Sequence, residues 1–152
     1  MPDLLRARGA ITVVDFVYTR CPTVCLALGS VFQQMQAELA ADDTPAAARI
    51  RLLSISFDPA HDTPAALSAY SQTQRADPGR WQWAVPARAV ELDRLLRAFG
   101  VVVIPDGLGG YTHNAGLLVI DHDGRLVRVF EPTEMSSALT FARRLAAAES
   151  VS

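Results

Sequence analysis

The stretch Ile11-Thr12-Val13-Val14-Asp15-Phe16-Val17-Tyr18-Thr19-Arg20-Cys21-Pro22-Thr23-Val24-Cys25 decides the fold. Its first half, from Ile11 to Tyr18, is dense in β-branched and aromatic residues and reads as a buried strand. Its second half turns into a helix. Pro22 suits a first helical turn, where the missing N–H removes no bond. Val24, Leu28, Val31, Phe32, Met35 and Leu39 then recur at the spacing of one helical face. Cys21 therefore falls at the turn from strand to helix, and Cys25 one helical turn later. Residues four apart share a face, with Cβ atoms ~5–6 Å apart. That is a suitable bite for two thiolates on one metal ion, and a frayed first turn also lets the pair close to a disulfide. The helix N-terminus and the charge of Arg20 both favour an anionic sulfur. The plain alternative is two buried, inert cysteines.

Working outward, the helix fades into Asp42-Asp43-Thr44-Pro45, which reads as a loop. Residues 51–57 (RLLSISF) form a second strand, ended by Asp58-Pro59. Asp62-Thr63-Pro64 is a helix-start signal for a helix to about Gln74. Asp77-Pro78-Gly79 is a turn, Trp81 to Val85 a short strand, and Ala87 to Phe99 a helix stopped near Gly100. A glycine-rich stretch leads to Tyr111-Thr112-His113. Ala115 to Asp121 is the third central strand, Asp123-Gly124 a hairpin turn, and Leu126 to Phe130 the fourth strand. Thr133 to Ala148 is a closing helix. The class is α/β, a central mixed β-sheet flanked by helices. A βαβ unit followed by a ββα unit resembles the thioredoxin-like fold. That resemblance implies the strand order second, first, third, fourth, with the third antiparallel to the first.

Composition sets the frame. The chain has 152 residues, half of them apolar, which suits one domain over residues 1–152 with a real core. The net charge of -2 is mixed along the chain, with no basic patch for nucleic acid. All 14 cations are Arg, a pattern of coding bias in GC-rich bacteria. No segment approaches the ~18–20 apolar residues of a membrane span. The opening residues do not read as a signal peptide. The chain is expected to be a trimmed piece of a longer secreted or anchored protein. The two cysteines would close a tiny loop, so a purely structural disulfide is a poor reading.

The implied strand order selects a third ligand. His113 precedes the third strand, whose start lies near the end of the first strand and so near Cys21. His122 sits at the far end of that strand, roughly 20–25 Å away at ~3.3 Å per residue, and reads as a solvated turn residue. His61 follows the second strand at the correct end of the sheet and is the reserve ligand. Two thiolates and an imidazole suit copper, as Cu(I) or Cu(II). Structural zinc wants a fourth ligand that the sequence does not offer.

Three ordered motifs resemble the Sco/SenC family of thioredoxin-like copper proteins: residues 15–25, residues 54–64 (SISFDPAHDTP), and His113 before Leu117 to Asp121 and Asp123-Gly124. The resemblance runs from Gly9 to about Phe130. It implies that Cys21, Cys25 and His113 are copper ligands. It also implies that Asp58 and Asp62 shape the neighbouring loop and tune the site. The alternative is ordinary structure, with Asp58 ending a strand and Asp62 capping a helix. Trp81 and Trp83 read as core or rim. Three departures stand out. Leu26 replaces a frequent Pro, His61 takes the Arg place of an Asp-Pro-x-Arg-Asp loop, and the family's opening hairpin and membrane anchor are missing before Gly9.

The implied function is that of a metallochaperone. It would pass copper to the dinuclear centre of cytochrome c oxidase subunit II, or to another copper-receiving protein. The setting would be the periplasmic or extracytoplasmic side of a bacterial inner membrane. The second reading is a thiol–disulfide oxidoreductase in which Cys21 attacks and Cys25 resolves, acting on the same subunit or other extracytoplasmic proteins. A peroxidase is disfavoured, since Val14 and Tyr18 stand where that family has Pro and Thr. A copper or redox sensor is a fourth reading, which the sequence does not separate from the first.

Overall fold

The computed structural model describes residues 10–20, 24–108, 110–114 and 116–149. Cys21, Pro22 and Thr23 lie outside the described residues, as do residues 1–9 and 150–152.

The central strand is β1 (Ile11–Val17), and every one of its residues is buried. Both of its faces are covered, which explains an apolar run with little alternation. On one side β1 pairs in parallel with β2 (Ile50–Ser56), Ile11 opposite Ile50 and Val17 opposite Ser56. The crossover between them contains α1 (Val24–Ala40) and the short α2 (Pro45–Ala48). Leu28, Phe32, Met35 and Leu39 of α1 are buried, as their spacing predicts. The loop reading is corrected at Pro45. Thr44 Oγ1 accepts from the Ala47 amide at 3.3 Å, so the Thr-Pro pair starts a single helical turn.

From β2 the chain runs through α3 (Pro64–Thr73) to β3 (Trp81–Ala84), which pairs in parallel outside β2. After α4 (Ala89–Ala98) come two strands of three residues, β4 (Val103–Pro105) and β5 (Tyr111–His113). They form a separate antiparallel ribbon that the sequence pattern does not predict. β6 (Leu117–Ile120) then returns antiparallel to β1, and β7 (Leu126–Phe130) completes the sheet. The order is β3-β2-β1-β6-β7. The four central strands match the expected order, with β3 added at the edge. The β6–β7 turn has Gly124 at φ +84°, a conformation that favours glycine. The closing helix α5 (Met135–Glu149) packs on α1 and on the central strands. No helix among the described residues is long and apolar enough to cross a membrane.

One polar chain crosses this core. Asp15 is 1% exposed and stands opposite Ser54. Ser54 hydrogen-bonds the Asp15 carboxyl and accepts the Trp81 indole N–H at 3.0 Å. Trp81 is in the core, stacked on Trp83 and packed against Phe32 of α1. Asp15 thus lies on the α1 side of the sheet, and alternation sends Phe16 to the other face, against Phe99. Burial raises the Asp15 carboxyl to about 7, and the Ser54 bond only partly opposes this.

The fold therefore favours the protonated form of Asp15. Its contribution to stability is complete below the unfolded carboxyl value near pH 4, and fades as pH rises through about 7. Asp15→Asn removes this titration. Urea unfolding at pH 4.5 and pH 8 should show the variant gaining on the parent chain by at most about 4 kcal/mol. An equal difference at both pH values would contradict this account.

Candidate metal centre

Three segments meet at the end of the sheet to which β1 points. They are Tyr18-Thr19-Arg20 after β1, Phe57-Asp58 after β2, and the β4–β5 ribbon. Arg20 is bonded to Cys21, so the first segment ends where the run from Cys21 to Cys25 begins. Cys25 is the second residue of α1; its side chain lies outside the described set.

Asp62 holds the first two segments together. It is fully buried. Its carboxylate accepts the Thr19 amide at 3.0 Å and the Ser56 hydroxyl at 2.7 Å, and it also accepts the Thr19 hydroxyl. The Ser56 oxygen in turn accepts the Asp58 amide at 3.1 Å. Phe57 adds a backbone bond, its amide donating to the Val17 carbonyl at 3.0 Å. The helix-cap reading of Asp62 is therefore corrected. Thr63 is the cap of α3, its Oγ1 accepting from the Ala66 amide at 3.1 Å. In a sequence Asp-Thr-Pro either residue can cap. Asp62 is taken by the buried donors of Thr19 and Ser56.

The side chain of Asp58 is 2% exposed. Both of its oxygens lie 3.1 Å from Nδ1 of His61. The Arg20 guanidinium lies 3.0 Å from the same nitrogen and 3.6 Å from Asp58 Oδ2. One ring nitrogen cannot both donate to the carboxylate and accept from Arg20. Two carboxylate oxygens outweigh one guanidinium nitrogen, so Nδ1–H donates to Asp58 and Arg20 is held by charge. His61, the reserve ligand, is thereby engaged at Nδ1 in the Asp58–Arg20 cluster. His122 lies at the opposite end of β6, with Nε2 3.5 Å from Asp123.

His113 is brought to the β1 end. It closes β5, opposite Val103. Its ring stands edge-on to Phe57 at 4.9 Å and to Tyr18 at 6.3 Å between centroids. Nδ1 lies 3.2 Å from the Asn114 carbonyl oxygen. A carbonyl only accepts, so Nδ1 carries the proton and the ring lone pair is on Nε2. Burial lowers the His113 value below the ordinary histidine range, and the Asn114 bond offsets only part of this. The ring is thus neutral at neutral pH, the state a metal requires. The oxygen of Tyr18 fixes the ribbon to the sheet. It accepts the Tyr111 amide at 3.1 Å and donates to the Tyr111 carbonyl at 3.3 Å. A Cβ at Gly110 would lie 2.9 Å from Asp106 Oδ2 and 3.2 Å from the Tyr18 oxygen, so a larger residue there would displace the Asp106 carboxylate and crowd Tyr18. Tyr18, Phe57 and Tyr111 were not singled out as site residues by sequence; the strand-end position of Tyr18 was the available signal.

The comparisons bear on this arrangement. The sequence profile of the SCO1/SenC family matches residues 5–148. The chain belongs to the SCO1/SenC family. It is similar to a SCO1 protein homolog of Bacillus subtilis (strain 168), 22% identical over 129 residues, 84% of this chain and 65% of the relative. The chain spans 57–65% of the length of the curated relatives it matches. The structure of Bradyrhizobium japonicum ScoI with copper bound is 26% identical, with a TM-score of 0.73, covering 91% of this chain and 86% of that one. A SCO1/SenC family lipoprotein from Bacillus anthracis str. Ames shares the fold at 23% identity and a TM-score of 0.81, covering 95% and 84%. The fold of this SCO1/SenC chain is thioredoxin-like, as those of its neighbours are.

Removing the Asp62 carboxylate should open the junction. Asp62→Ala leaves the Thr19 amide and the Ser56 hydroxyl without their acceptor, at a cost of about 3 kcal/mol in urea unfolding. Asp62→Asn, which keeps one acceptor oxygen, should lose less. A loss below about 0.5 kcal/mol for Asp62→Ala would show that the carboxylate does not hold these segments.

Proposed function

We propose that the chain binds copper through Cys21, Cys25 and His113. It would deliver the ion to the dinuclear copper centre of cytochrome c oxidase subunit II. Copper is cargo, taken up and released by exchange of thiolate ligands. The observation that carries the reading is the placement of a neutral, oriented His113 ring against Tyr18, three residues before Cys21. A lone pair on Nε2 with two thiolates makes a soft-to-borderline donor set, which suits Cu(I) and also holds Cu(II). Family membership and the copper-bound state of the Bradyrhizobium relative support the choice of metal.

The site works on the extracytoplasmic side of a bacterial membrane, in an anchored form of the protein. The lipoprotein nature of the Bacillus anthracis relative supports this setting. Asp62 and Asp58 position the turn that leads into Cys21. They act on the metal through that turn.

A thiol–disulfide oxidoreductase is the second reading, favoured by one observation. Cys25 stands in the first turn of α1, where the helix N-terminus favours a thiolate. Cys21 would attack a substrate disulfide, and Cys25 would resolve the mixed disulfide.

Anaerobic titration of the reduced chain separates the readings. Copper should bind one to one, and Cu(II) should give a strong thiolate-to-copper charge-transfer band. His113→Ala should weaken binding about 100-fold or more and leave disulfide exchange at Cys21 nearly unchanged. Failure of the parent chain to bind either copper state would remove the copper reading and leave the reductase.

A further inference from the structure

β7 ends the sheet. Among the described residues its one ladder neighbour is β6. The backbone N–H and C=O groups on its outer side therefore have no strand to meet. Two features shape this edge. Val119 faces Arg128 and Ile120 faces Leu126, which leaves Val127 as an extra residue, a bulge. From Arg128 onward the alternation is regular. Arg128 and Phe130 share one face, toward Phe141 of α5, and Val129, 52% exposed, turns to the other.

Arg128 is held in place without an acidic partner. Its guanidinium lies 4.7 Å from the centroid of the Phe130 ring and 5.5 Å from that of Phe141. Stacking on aromatic rings fixes a guanidinium, and the residue remains exposed to solvent. Ser137, Thr140, Phe141 and Arg144 follow at helical spacing on α5, and with Arg128 and Phe130 they line a groove of about 380 Å³. Among the described residues, Arg20, Arg88 and Arg143 have carboxylate partners, whereas Arg128 and Arg144 have none. Glu131 and Glu134, the next acids along the chain, are engaged with each other's backbone. Glu134 Oε1 accepts the Glu131 amide at 2.8 Å, and the Glu131 side chain accepts in return from the Glu134 amide.

The charge identifies the occupant. A second copy pairing all of β7 antiparallel would set Arg128 against Arg128, a repulsive cross-strand pair. A bilayer surface calls for a denser group of cations, on the order of four or more. A free small anion would gain only exposed charge contacts. An extended polypeptide gains ladder bonds along the edge, a carboxylate against two guanidiniums, and apolar contact at Val129. We propose that the outer edge of β7 and the groove beside α5 bind an extended segment of a partner protein, with an acidic residue set against Arg128 and Arg144 and an apolar residue set against Val129. The bulge and the arginine keep indiscriminate strands away, and an acidic strand turns the same charge into attraction. The surface uses none of the copper ligands, so the inference stands apart from the copper reading.

The test uses two fluorescein-labelled peptides, acetyl-Thr-Val-Glu-Val-Glu-Val-Thr-amide and its lysine counterpart, in fluorescence anisotropy at low salt. The parent chain should bind the glutamate peptide about tenfold tighter than the lysine peptide, or more. Added salt should weaken that binding. Hydrogen exchange should show the outward amides of β7 gaining protection when the glutamate peptide binds. Arg128→Glu should reverse the preference between the peptides. Arg128→Gln, which removes the charge and keeps a polar side chain, should fall between, with circular dichroism checking that each variant folds. Equal binding of the two peptides, no binding of the glutamate peptide at about 1 mM, or parent affinity in both variants would overturn the proposal. Outward β7 amides already protected in the free chain would assign the edge to another part of this chain, and would also overturn it. Self-association of the parent that Arg128→Glu abolishes would assign the edge to a second copy, with the same consequence.

Discussion

The carboxylate of Asp62 is the interaction on which the rest of this end of the molecule depends. It is fully buried, and it accepts donors from the turn after β1 and from the last residue of β2. A charge in such a place is tolerable only when its lone pairs are filled. Filling them requires Thr19 and Ser56 to stand in one arrangement. The same arrangement holds the backbone at Thr19, two residues before Cys21 in the sequence. Thr19 is therefore tied to the pairing of β1 with β2 in the buried sheet.

The imidazole is held by different means. His113 belongs to a ribbon outside the main sheet, fixed by the Tyr18 oxygen on the Tyr111 backbone and by Asn114 at its base. Phe57 and Tyr18 pack edge-on against the ring and leave it half-buried. That burial favours the neutral ring, and the Asn114 carbonyl selects the tautomer. The site thus joins a rigid side, through Asp62, to a side borne on a small projecting element. That division is compatible with the exchange of ligands in the proposed function.

Much of this was legible in the sequence. Ile11 to Tyr18 reads as a buried strand because both faces of β1 are covered. Leu28, Phe32, Met35 and Leu39 announce the buried face of α1 by spacing alone. The strand order follows once the βαβ and ββα units are recognised, and that order separates His113 from His122. Other features were not legible. β4 and β5 have three residues each, with Pro105 in one and glycines between them, too short for any periodicity. Asp62-Thr63-Pro64 announces a helix start without saying which residue caps it. The Tyr18–Tyr111 clamp joins residues 93 positions apart, and no local pattern encodes it.

The central claim is that Cys21, Cys25 and His113 bind one copper ion together. The most direct measurement is copper K-edge X-ray absorption on the parent chain loaded with one equivalent of Cu(I), repeated on His113→Ala. The account predicts a three-coordinate centre of two sulfurs and one imidazole nitrogen, with the imidazole scattering lost in the variant. A shell without sulfur, or an imidazole signal that persists in His113→Ala, would contradict it.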